Sequence, residues 1–359
     1  MIKKLFAFAV IILFVYLCIT PSLAVDNVKK TSVPVSDGNI LYVGGSGPGN
    51  YTTIQSAIND ANNGDAVFVY DDSSPYLENL QINKSINLTG ENNETTVIDG
   101  NMEIEYVVRI LCNSVNISGF KIINAGDGIQ IYSNETTIIK NNIINNIWYG
   151  VAVYGGCNNT IYDNIIRDNC GGVLLCSNGQ NNIILENTII DNIGNYINNG
   201  IELYYSSYNK IIGNLIKGSP WNILLEHSCK NIIDNNLIEN ARQRGISISF
   251  MAHNNIISNN TIINSKYIGL QIEANGNKII HNNFINNPDQ CAFTVYNPFF
   301  YPKFNYNKWD GNYWDNWIGL TKPLFIKFPK IIVGQFTRSR IYIPAFSFDW
   351  HPAKEPYNI

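Results

Sequence analysis

Charge is scarce in this sequence: only 14% of its 359 residues are Asp, Glu, Lys or Arg, with a net charge of −4. A chain so balanced carries no basic footprint for nucleic acid. Imidazole and thioether donors are also few, with four His and three Met, one of them the initiator. His227, His253, His281 and His351 fall in no common column, and only Cys229 stands close to one of them, His227. That is a thin supply of copper ligands, and no metal or cofactor is expected. The six cysteines beyond the first 24 residues form no CxxC and no compact metal spacing, so most read as small buried residues. Beyond the N-terminus no apolar run is long enough to span a bilayer.

The N-terminus is the exception. Lys3 and Lys4 precede an apolar run from Leu5 to Ile19 and then Ser22-Leu23-Ala24, the grammar of a secretory signal over residues 1–24. This places the mature chain outside the cytoplasm, secreted or at the cell surface, with no transmembrane segment once the signal is removed. Residues 25–40 read as a flexible lead-in. Next, Thr52 and Gln55 form a capping box ahead of Ile54, Ala57, Ile58 and Ala61 on one helical face, a short helix suited to covering the end of a stacked core.

What the chain has in excess is Asn and Ile, in a repeat. Anchored on Phe120, Asn142, Asn164, Asn187, Asn214, Asn236, Asn260 and Asn283, the intervals are 22, 22, 23, 27, 22, 24 and 23 residues. Ile stands three before each anchor (Ile117, Ile139, Ile161 through Ile280) and two after it in every repeat. Four after the anchor comes a turn column, Asn124, Asn146, Asp168, Asp191, Gly218, Asn240, Asn264 and Asn287. A strand of period two follows, opened by Gly in most repeats. A leucine-rich horseshoe of this period needs Leu columns and room for a convex helix. Short β-branched strands joined by Asn turns wind instead as an all-β, single-stranded parallel β-helix, Ile stacked on Ile inside. The β-helix and its N-terminal cap occupy 41–287. From 288 to 359 the periodicity gives way to an aromatic cap and tail, with Trp309, Tyr313, Trp314 and Trp317 spaced to plug the open end.

The repeat NNIISNNTIINS (254–265), the lead-in YTTIQSAINDANNGDAVFV and the tail NKWDGNYWDNWIG (307–319) resemble the pectate-lyase-like right-handed β-helix superfamily. Within it they are most similar to the repeat group shared by carbohydrate-binding and sugar-hydrolysis (CASH) domains and NosD-type proteins. The resemblance implies a right-handed coil. It specifies a fold and leaves the reaction open.

Chemistry can sit where the repeat leaves positions free. Alternation turns the second and fourth residues of each Gly-led strand outward, giving the rows Gln130, Ala152, Leu174, Glu202, Leu224, Ser247, Gln271, Thr294 and Tyr132, Tyr154, Cys176, Tyr204, Glu226, Ser249, Glu273, Tyr296. Trp148-Tyr149, Trp221, Arg242, Arg244 and Tyr267 lie in the turn before these strands, where the longest coil inserts IGNYINN from Ile193. Tyr132, Tyr154, Tyr204, Trp221 and Glu273 are therefore candidates for binding a polysaccharide or surface glycan. A lyase or glycoside hydrolase on the same face is the alternative, with Glu202, Glu226 and Arg244 as catalytic candidates. The two glutamates stand roughly 8 Å apart by strand spacings, a separation suited to inversion. Neither an acidic Ca²⁺ cluster nor a polygalacturonase-type motif is present, so the reading leans away from catalysis. A NosD-type copper-accessory role is the third alternative, supported by resemblance and not by ligands.

Overall fold

One coil shows how the sequence bends. Thr160–Tyr162 runs straight, Asp163 turns the chain at a φ of 54°, Ile165–Arg167 follows, Asp168 turns it again at 57°, and Gly171–Cys176 forms the third side. Left-handed backbone is costly for most L-residues and is tolerated by Asn and Asp, hence the polar turn columns. Each strand pairs in parallel with its counterpart one coil on, Ile161 with Ile184, Ile166 with Ile189 and Val173 with Ile201. The result is a parallel β-helix with three sheets. Sheet A runs from Thr137–Ile139 through Lys278–Ile280, sheet B from Asn142–Ile144 through Asn283–Ile285, and sheet C from Tyr149–Tyr154 through Asp289–Tyr296.

This computed structural model describes residues 38–194, 199–296, 307–317, 328–338 and 341–359, all within one unit, Ser36–Ile359. The signal segment, nearly all of the lead-in, and residues 195–198 of the IGNYINN insertion lie outside the described residues.

The interior is filled by aliphatic columns, among them Ile161, Ile184, Ile211, Ile233 and Ile257 from sheet A and Ile166, Ile189, Ile216, Ile238 and Ile262 from sheet B, all buried. At two of the corners the residue after the left-handed turn is, in most coils, a buried Asn whose amide points along the stack. Asn164 donates its backbone N–H and its Nδ2 to Asn187 Oδ1, both at 3.0 Å, and Nδ2 also to the carbonyls of Tyr162 and Ile138. The same pattern links Asn187, Asn214, Asn236, Asn260, Asn282 and Asn312. A second ladder runs through Asn159, Asn182, Asn209, Asn231, Asn255 and Asn277 at another corner. The stacking residue is thus the neighbour of the turn residue and not the turn residue itself.

The ladders correct the repeat frame in two coils. Asn141, not Asn142, accepts from Phe120 and donates to Asn164, and Asn282, not Asn283, continues the column from Asn260. The buried aliphatics there are accordingly Ile138, Ile143 and Ile279, with Phe284, while Asn145 and Asn286 take the positive φ. Asn-Asn and Ile-Ile doublets fit two frames one residue apart, and a one-residue slip exchanges inner for outer faces.

Both ends are closed. The helix Ile54–Asp60 buries Ile54, Ala57 and Ile58 against the core. Its N-cap is Thr53, one residue past the expected box, and the Glu78 carboxylate accepts from the N–H groups of Ile54 and Gln55 at 2.8 and 2.9 Å. At the other end the periodicity continues beyond Asn287. Lys308–Asp310 extends sheet A, Tyr313–Trp314 extends sheet B, and Lys330–Arg338 extends sheet C before pairing antiparallel with Ile341–Asp349. Trp309 and Trp314 stand where the inner Ile would be, and Trp314 stacks on Phe284 at 4.3 Å. Buried Asp349 terminates the Asn ladder, accepting from Asn312 and from Trp314 Nε1.

Asn214→Ala should cost about 2 kcal/mol or more, because it leaves Asn187 N–H without its acceptor, takes one of two acceptors from the Asn187 amide and removes the Nδ2 donor from the Ile184 and Ile212 carbonyls. Asn264→Ala, at an exposed turn position with φ 58°, should cost about 1 kcal/mol from backbone strain alone. Guanidinium unfolding of the two variants tests the ordering; equal losses would remove the ladder from the account.

Candidate functional site

The Gly column that opens the strands of sheet C exists for space. A β-carbon on Gly150 would stand 2.5 Å from Ile166 Cγ2 and 3.1 Å from the Gly172 carbonyl, and Gly172 and Gly245 are hemmed in the same way. Close approach at this corner fixes the strand start and so decides which side chains face outward. Register then aligns Gln130, Ala152, Leu174, Glu202, Leu224, Ser247, Gln271 and Ala292 in one outer row. Tyr132, Tyr154, Cys176, Tyr204 and Glu226 lie in the row beside it. Ala292, rather than Thr294, stands beside Gln271, and Thr294 falls in the row of Glu273. The sequence frame slips by two in this coil because Gln290 replaces the glycine that marks the strand start in most other coils.

All eight candidate residues lie on sheet C or its continuation, and the structure divides them. Tyr132 and Tyr154 stack at 4.9 Å and 15°. Tyr204 meets Tyr205 edge to face at 4.7 Å, Tyr205 stacks on His227 at 4.4 Å, and His227 Nδ1 lies 3.9 Å from Glu226. Arg244 sits with its guanidinium 5.4 Å from the Trp221 ring centre, which aligns it with an aromatic rather than with either glutamate. Glu273 lies at the far end, accepting from Gln271 at 2.7 Å.

Between these groups stands a small outer core that sequence reasoning did not single out. Tyr149, Ala152, Leu174 and Cys176 bury one another on the outside of the sheet, with Tyr154 packed against them. Tyr149 leans past Gly171, its partner in register, and donates its hydroxyl to Glu202 Oε2 at 2.6 Å, where Asn199 Nδ2 also donates at 2.7 Å. Asp127 is fully buried, accepting from Tyr149 N–H, Gln130 Nε2 and Tyr154 hydroxyl at 2.9, 2.9 and 3.0 Å. Arg109 closes the end, donating to Gln130 Oε1 and Glu105 and covering the Tyr106 ring at 3.8 Å. The sequence signal for Asp127 and Tyr149 was their shared position just before the strand's Gly, where other coils carry turn residues.

Burial sets the protonation of this core. Desolvation raises the Asp127 carboxyl above the usual carboxylate range, more than its three donors lower it. Burial, and then the carboxylates they donate to, push the Tyr149 and Tyr154 phenols far above their ordinary value. Both tyrosines are therefore fixed as neutral donors and not as bases. The remaining nitrogen and sulfur ligands are dispersed. His281 packs against Tyr357, His351 pairs with Asp310 at 2.8 Å, and Cys229 Sγ contacts the Met251 carbonyl at 3.2 Å. The six cysteines among the described residues are free; only Cys176 is fully buried, Cys112 and Cys291 pack half-buried against the core, and the expectation of buried core cysteines fails for the rest. Among the described residues no group of three or more His, Cys, Asp or Glu is placed to hold a metal ion.

A raised carboxyl favours the folded state most at low pH, and that contribution declines as pH rises through the folded pKa. Wild-type stability minus that of Asp127→Asn should therefore fall between about pH 4 and pH 7, measured by urea unfolding. A difference that grows with pH would show Asp127 to be stabilised as the anion.

Comparison with known proteins fits this architecture. The chain is 31% identical over 167 residues to a cell surface glycoprotein of Methanothermus fervidus, a match covering 46% of this chain and 28% of that protein. The chain thus spans well under half the length of that relative. Among solved structures, an alginate lyase from Paenibacillus sp. superposes with a TM-score of 0.59 at 14% identity, covering 75% of this chain and 98% of that one. The A-module of the Azotobacter vinelandii mannuronan C-5 epimerase AlgE4 superposes at 0.57 and 14% identity, covering 72% and 82%. At these identities the two enzymes share the fold alone. A family model matches residues 58–222 and 186–319, most of the chain, and the protein therefore belongs to the family described as periplasmic copper-binding protein (NosD).

Proposed function

We propose that this NosD-family protein works outside the cytoplasm, at the cell surface or in the envelope, and binds a polysaccharide along the outer face of sheet C. The observation that carries this reading is the contrast between faces. The outer rows of sheets A and B are mainly aliphatic or Thr, as at Ile183, Leu185, Ile212, Ile232, Thr188, Leu215 and Leu237. Sheet C instead presents Tyr132, Tyr204, Trp221, Glu202, Glu226 and Glu273 at coil spacing. Aromatic faces and fixed polar groups in one continuous band are what a sugar polymer needs, apolar C–H faces to stack and hydroxyls to pair. The names of the lyase and epimerase that share the fold, and of the cell-surface relative, support the same reading.

The described residues do not fit a copper ion, because their His and Cys donors lie apart and form no cluster. Catalysis by Glu202 and Glu226, with Arg244 as base, is the alternative on the same face. Against it, the phenols beside Glu202 are locked as donors and Arg244 is held over Trp221.

Trp221→Ala and Tyr204→Ala should each weaken binding about tenfold for the glycan selected on an array, the loss of one aromatic anchor. A Glu226→Gln protein that still binds but loses turnover would make the protein an enzyme. An array without a hit at high protein concentration would remove both sugar readings.

A further inference from the structure

We propose that the sheet C face selects glycans that bring hydrogen-bond donors, hydroxyl or ammonium, and discriminates against polyuronates. This rests on the polysaccharide reading above. The face spends its donors internally and presents acceptors. Tyr149 hydroxyl and Asn199 Nδ2 both go to Glu202 Oε2, Tyr154 hydroxyl and Gln130 Nε2 go to Asp127, and Gln271 Nε2 goes to Glu273. Each carboxylate obliges its amide neighbour to turn the NH₂ toward it and the oxygen away. As a result the carbonyl oxygens of Asn199 and Gln271 are buried without any donor, and Asn199 as a whole is 5% exposed. Two orphaned acceptors in one band, each beside a carboxylate, point to a ligand that donates.

Charge points the same way. Among the described residues of these rows, Glu202, Glu226 and Glu273 carry the outer carboxylates against Arg109 and Arg244, while Asp127 is buried beneath them. Arg109 is consumed by Glu105 and Gln130, and Arg244 covers Trp221. At the rim, Arg242 donates to the Gly218 carbonyl and lies 3.8 Å from Asp191, and Arg167 pairs with Asp168. A uronate carboxylate would meet more carboxylates and acceptors than cations in these rows, whereas hydroxyls or ammonium groups would pair with Asn199, Gln271 and the Glu226 carboxylate.

The test is titration of the full chain, by calorimetry at about pH 6 where amino-sugar nitrogens are charged, with cello-oligosaccharide, chitosan oligosaccharide, oligogalacturonate and oligoalginate. The expected result is binding of the neutral or amino-bearing oligomer at least tenfold tighter than either oligouronate. Glu202→Gln with Glu226→Gln should narrow that gap, since Gln at 202 still accepts from Tyr149 and Asn199 but removes the charge. Equal or tighter binding of an oligouronate would overturn the inference and leave the polysaccharide reading intact. Binding of none of the four would remove that reading and the inference with it.

Discussion

A buried carboxamide costs several kcal/mol unless it finds both donors and acceptors, and coil after coil of this protein buries Asn at two or more corners. In water each such amide is satisfied by solvent. In the solenoid it is satisfied by the same residue one coil above and below together with backbone carbonyls, as Asn187 is by Asn164, Asn214 and the Ile161 carbonyl. The ladder therefore works as a gauge. A coil may gain residues between corners, as the 27-residue interval from Asn187 to Asn214 does, but the corner itself must arrive at the same place.

The outer rows of sheet C inherit that accuracy. Glu202, Asn199 and Tyr149 come from two coils and meet within 2.6 to 2.7 Å because the corners beneath them are fixed. The outer core of Tyr149, Ala152, Leu174 and Cys176 then holds polar groups in place on a surface where flexible side chains would otherwise sample many rotamers. Preorganisation of this kind would lower the entropic cost of the binding proposed for this face.

The β-helix was legible in the sequence because its inner columns obey a strict period, and the eight candidate side chains were placed on one face by the same count. The frame was less legible. In KNNIINN the doublets admit two phases, and only the fit of Asn141 against Asn164 selects one. The final coil was hidden because residues 288–306 interrupt the interval and because Trp309 and Trp314 replace the aliphatic signature. Asp127 was overlooked and Tyr149 was read only as a rim aromatic, since turn columns ordinarily point to solvent, whereas here Gly171 leaves room for a ring to fold down over the sheet.

The amino-acid sequence by itself determined the coil and, outside the two coils whose doublets admit two phases, the residues that line its interior, since those follow from local pattern repeated at fixed spacing. Tertiary structure alone decided the site. Which amide is an orphan, which carboxylate is buried and which guanidinium is already taken depend on neighbours far along the chain, from Arg109 and Gln130, separated by 21, to Tyr149 and Glu202, separated by 53. No local periodicity encodes those pairings, because they arise from the stacking of coils whose outer residues are free to differ.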